Sequence, residues 1–150
     1  VEKFMLRESF RGVHIRPEKN FKRIICPHAN KFSSFPKTPV RFCNLEGYFS
    51  EPVSNDKIIA ELPEASIFND VDLVMLFLYR LVSRQMRGED GDLLTGGKIN
   101  IFFVRVVDEV FAIHLRRNVI YSGWSCELAG IDGEHYRLMD SRVFLPLSAI

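Results

Sequence analysis

The stretch KINIFFVRVVDEVFAIHLRRNVIYSGWSCEL, Lys98 to Leu128, decides the fold of this chain. Ile99 to Val107 and Val110 to Arg117 are rich in β-branched and aromatic residues and flank Asp108-Glu109. They read as two strands of a tight hairpin, although Asp-Glu is not an ideal turn pair. A third strand, Val119 to Leu128, follows through Arg117-Asn118, with a bulge expected at Gly123. With two residues in each turn, Phe102, Val104, Val106, Phe111, Ile113, Leu115, Ile120 and Trp124 share one face, which is the core side. The opposite face carries Ile101, Phe103, Arg105, Ala112, His114, Arg116 and Tyr121. A sheet with one wet side alternates more cleanly than this, so something covers that second face. The N-terminal region and a second protomer are the two candidates.

Working outward, Gly130-Ile131-Asp132-Gly133 is a strong turn signal, and His135 to Leu145 reads as the fourth strand of a meander. Upstream lies a loop of Gly88 to Asp92 and Thr95-Gly96-Gly97, and before it the clearest helix, residues 70–87. Asn69 or Asp70 can cap that helix, Asp72 suits its first turn, and Gly88 can take the left-handed stop. Leu73 to Tyr79 is apolar on every side, which implies burial all round by the sheet or by a second subunit. A shorter helix spans 54–62, with Ser54 as N-cap and Pro63 as its stop.

Residues 1–52 contain Pro17, Pro27, Pro36, Pro39 and Pro52, so their strands must be short or lie at edges. Arg11 to Arg16, Lys22 to Cys26 and Val40 to Leu45 are the candidates. The fold expected is therefore α+β: an antiparallel sheet, made of a C-terminal four-strand meander plus short N-terminal strands, with one main apolar helix packed on a face.

A chain of 150 residues, 47% apolar and 26% charged, has the size and mixture of a single globular domain, 1–150, divided into a basic Phe-rich region (1–52) and a helix-plus-meander region (53–150). No run approaches a membrane span, and the three cysteines are too few and too irregular for a disulfide framework. A reducing, cytoplasmic setting without membrane attachment is the expectation. The net charge of +1 conceals +6 over residues 1–50 and −5 over the remainder.

Motifs for chemistry are sparse. Cys26-Pro27-His28 is one short-spaced ligand pair where a zinc site needs two, so no metal and no cofactor are expected. Gly96-Gly97-Lys98 resembles the tail of a phosphate loop but lacks its earlier Gly and its Ser or Thr, and a strand follows it where a helix should. No thiol–imidazole pairing is placed by the strand register. An enzyme would instead require a pocket between helix and sheet where Trp124, Tyr136, His135 or His114 converge with a perturbed carboxylate.

What remains is surface. Arg11, Arg16, Lys22, Arg23 and Arg41 are interleaved with Phe21 and other rings, the mixture that binds single-stranded nucleic acid. The outer sheet face around Phe103, His114, Arg116 and Tyr121 is the second candidate contact surface. The function expected is that of a small non-enzymatic binding or interaction module, with itself (as a homodimer) or another protein as partner. Nucleic-acid binding, and small-molecule binding or catalysis in a helix–sheet pocket, are the alternatives.

Overall fold

A computed structural model describes residues 13–30, 41–62, 67–118, 120, 123–132 and 135–146. The elements are β1 (Ile15–Pro17), α1 (Lys19–Ile24), β2 (Arg41–Asn44), β3 (Val53–Ser54), α2 (Asn55–Glu61), β4 (Ile67–Phe68), α3 (Val71–Ser83), β5 (Ile99–Val106), β6 (Glu109–Asn118), β7 (Gly123–Gly130), β8 (His135–Tyr136) and β9 (Ser141–Leu145). The class is α+β. Among the described residues seven strands form one sheet in the order β1-β7-β6-β5-β9-β2, with β4 beside β5, and β3 and β8 make a separate two-stranded ribbon.

The sheet is mixed, which corrects the expectation of a purely antiparallel one. Strands β5, β6 and β7 form the expected antiparallel meander. The fourth strand does not extend it, because the outer edge of β7 is occupied by β1, paired in parallel from Ile15↔Trp124 to Pro17↔Cys126. The chain therefore leaves Gly130, crosses the sheet through β8, and adds β9 in parallel to the far side of β5, Ile99↔Ser141 to Phe102↔Phe144. The sequence carries a trace of this. Val143-Phe144 is apolar on consecutive residues, as a strand buried on both faces must be; Val143 and Phe144 are both fully buried, in the cores on opposite faces.

The β5–β6 register pairs Val106 with Glu109 and so centres the turn on Val107-Asp108 instead of Asp108-Glu109. This is a shift of two on the partner strand, and an even shift leaves every side chain on its expected face. Phe102, Val104, Val106, Ile113, Leu115 and Trp124 do form a core together, with Phe111 at its margin. Ile120 does not join them: the β6–β7 connection runs from Asn118 to Gly123, and Ile120 stands 85% exposed within it. Gly123 opens β7 and is not a mid-strand bulge.

Helices α1 and α3 close this first face. Phe21 and Ile25, one helical turn apart, are both fully buried, which is why Lys22–Cys26 winds into the end of α1 and a 3-10 turn instead of the expected strand. Phe68 packs edge-on to Phe77 of α3, and Phe102 stacks on Phe144 at 4.8 Å. Asp70 caps α3 by accepting the Asp72 N–H at 2.8 Å. The helix ends at Ser83, short of Arg87, because Gln85 turns inward. Its side-chain amide donates to the carbonyls of Glu89 and Leu93 and accepts from the Leu93 N–H, each at 2.9 Å.

The second face is covered by this chain itself. Leu45, Phe49, Val53, Ile58 and Leu62 pack with Tyr136 onto Ile101, Phe103, Ala112 and Val143. The described parts of residues 1–52 thus supply both sheet edges, α1 and part of this second layer.

Candidate functional site

One end of the second face is not filled. A cavity of about 340 Å³ lies there, lined by Gly96, Gly97, Lys98, Ile99, Arg116, His135, Tyr136, Arg137, Asp140 and Ser141. Topology assembles it. Ser141 opens β9 directly opposite Ile99, the first residue of β5, and Arg116 of β6 lies one residue beyond the Asn100↔Leu115 pair. These residues form a lateral row across three strands. The crossover carrying β8 then roofs the row with His135, Tyr136 and Arg137.

The loop that brings Lys98 to the rim is held by two buried amides. Gln85 fixes its start, and Asn100, fully buried, fixes its end by accepting the Leu94 N–H (2.8 Å) and donating to the carbonyls of Leu94 (3.0 Å) and Leu115 (3.1 Å). Gly96 and Gly97 lie between these anchors at φ of 70° and 79°, a left-handed backbone that explains their residue type.

Beneath the roof runs a polar chain. The hydroxyl of Tyr136 meets Nε2 of His114 at 2.6 Å, and Nδ1 of His114 lies 3.4 Å from Glu127 Oε1. That same oxygen accepts Nη2 of Arg116 at 2.7 Å. The Glu127 carboxyl is held below the ordinary range, first by its bond to His114 and then by the Arg116 charge, against a desolvation that works the other way.

Two residues lining this cavity each carry a buried polar atom that is not satisfied among the described residues. Ser141 is 2% exposed and its Oγ has no hydrogen-bond partner among the described residues; the same holds for the buried Nε of Arg116. Buried donors without partners are rare and costly, and each calls for an explanation. Among the described lining residues the charged ones are three cations, Lys98, Arg116 and Arg137, and one carboxylate, Asp140.

Of the residues expected to form contact surfaces, Arg116 lines this cavity. His114 contacts it through Tyr136 but is itself 2% exposed. Phe103 and Phe21 are fully buried in the two cores, which removes them from the surface. Arg16, Lys22 and Arg23 are exposed beside β1, whereas Arg41 is exposed on β2, at the opposite edge of the sheet, so these cations do not share one patch. Arg11 and Tyr121 lie outside the described residues. Where an enzyme would require a helix–sheet pocket, Trp124 sits in packed core, donating to the Gln85 carbonyl at 2.8 Å, while Tyr136, His135 and His114 gather on the other face.

The residues that sequence reasoning passed over are Ser141, Lys98, Arg137 and Glu127. Lys98 carried a signal, since Gly96-Gly97-Lys98 does line a cavity, although as the entry to a strand. Ser141 carried none: its place depends on β9 pairing in parallel with β5.

A second, shallower groove of about 540 Å³ is lined by Arg23, Ile24, His28, Val106, Val107, Asp108, Glu109 and Phe111, none of which holds an unpartnered buried polar atom. Cys26, Cys43 and Cys126 are free, and burial pushes all three thiols up, away from thiolate chemistry. Among the described residues no three His, Cys, Asp or Glu side chains gather as a metal site, and no helix is long and apolar enough to cross a membrane. Comparison of the chain with protein-family models, with curated proteins and with solved structures finds no significant match.

Proposed function

We propose that this chain is a small non-enzymatic binding module that holds a small polar molecule in the cavity between the Gly96–Ile99 entry loop and the His135–Ser141 segment. The observation that carries the reading is the pair of orphaned donors, Ser141 Oγ and Arg116 Nε, on residues lining one cavity. Neither atom is open to solvent in the free protein, so a partner that supplies acceptors reaches them through a small side-chain shift, which the lost desolvation penalty favours. The volume falls at the lower end of the range for small-molecule sites. The apolar character of α3, which argued for a second subunit, is met by the chain's own core, so self-association loses its motive. Three free thiols of raised pKa support a reducing, cytoplasmic-type setting.

The test is a thermal-shift screen against a panel of small neutral, acidic and basic metabolites, repeated on Ser141→Ala. A ligand that raises Tm in the native chain and loses most of that shift in the variant supports the reading. A panel with no hit, or hits indifferent to the substitution, contradicts it.

A further inference from the structure

We infer that the group this cavity takes is the phosphate of a small phosphate monoester, an inference that rests on the cavity being a ligand site at all. The lining offers donors from four separate segments: Lys98 before β5, Arg116 on β6, Arg137 after β8 and Ser141 at the start of β9. A tetrahedral dianion can accept from several directions at once, whereas a planar carboxylate is best served by one guanidinium fork. Arg116 gives one Nη2 N–H to Glu127 at 2.7 Å, which fixes its guanidinium beneath the cavity, and its Nε has no partner among the described residues. Among the described residues the lining cations Lys98, Arg116 and Arg137 stand against Asp140 and against Glu127, which pairs with Arg116, and the positive charge left over suits an anionic group. At about 340 Å³ the cavity leaves room for an organic body against Ile99 and the Tyr136 ring.

The experiment is an amide chemical-shift titration of the uniformly ¹⁵N-labelled chain with glycerol 3-phosphate, inorganic phosphate, acetate and glycerol, each at matched ionic strength. Saturable shifts of Gly96, Gly97, Lys98 and Ser141 with both phosphates, and weaker ones with acetate and glycerol, are expected. Lys98→Ala and Arg137→Ala, substitutions at exposed side chains, should each weaken glycerol 3-phosphate binding about tenfold, the equivalent of one charge-assisted hydrogen bond. Acetate or glycerol moving these amides at lower concentration than the phosphates would overturn the phosphate assignment while leaving the cavity a ligand site. If none of the four probes moves these amides but a hit from the metabolite screen does, the phosphate assignment falls alone. If neither probes nor screen reach them, both readings fall.

Discussion

Val107 holds φ at 58° in the two-residue turn between β5 and β6. A positive φ at the first turn position is where a II′-type hairpin favours glycine, and a β-branched side chain there is strained. Val107→Gly should therefore raise the unfolding free energy by about 1 kcal/mol in urea, the relief of the left-handed penalty less the added chain entropy. A loss of stability would mean that the Val107 side chain makes up for its backbone through packing. Glu127 gives a second prediction at this scale. Its native pKa is lowered, so its stabilisation is complete above the unfolded value of about 4.3 and is lost as pH falls through the native one. Glu127→Gln should accordingly be less stable than the native chain at neutral pH and converge with it in acid. The carboxylate is 42% exposed, so the gap should stay below about 1 kcal/mol. A constant gap in urea titrations across that range would refute the assignment. Individual residues were legible where their type answers to local backbone: Asp70 and Ser54 cap the helices expected of them. Val107 was not, because nothing local in its sequence announces a left-handed valine.

At the scale of elements, α3 and the loop after it depend on Gln85. Replacing it with Ala removes three hydrogen bonds, two of them buried, and leaves the Leu93 N–H and carbonyl without their partners. Gln85→Ala should cost about 2–4 kcal/mol and speed amide exchange at Leu93, measured by urea unfolding and hydrogen exchange. A cost below about 0.5 kcal/mol would show that the loop is held by other contacts. The same element marks a limit of reading sequence. Helix periodicity runs on to Arg87, and only a tertiary partner, the Leu93 backbone, explains why Ser83 is the last helical residue. Strand faces, in contrast, survived a wrong register. The β5–β6 turn moved by an even number of residues, and period-two alternation is blind to such a shift.

For the whole molecule, the decisive fact is that the apolar part of each sheet face is covered by this chain's own residues. The apolar second face, Ile101, Phe103 and Ala112, lies under Leu45, Phe49, Val53, Ile58 and Leu62. Size-exclusion chromatography with light scattering should return a monomer mass at low and high salt alike. A stable dimer at both salts would mean that a further apolar surface is being buried between chains. The mixed sheet was not legible because parallel pairing of β9 with β5 and of β1 with β7 joins segments distant in sequence, and alternation specifies a face without naming a neighbour. The cavity inherits that blindness: Lys98, Arg116, Arg137 and Ser141 meet only because the crossover from β7 to β9 passes over the end of β5 and β6. Whether Ser141 is kept unpaired for a ligand is decided by urea unfolding of Ser141→Ala beside the native chain, with and without glycerol 3-phosphate. The variant should be more stable by about 1 kcal/mol when free, since a buried orphan hydroxyl is removed, and the phosphate ester should shrink or reverse this advantage. A variant less stable than the native chain under both conditions would contradict it, because Ser141 would then be serving the fold.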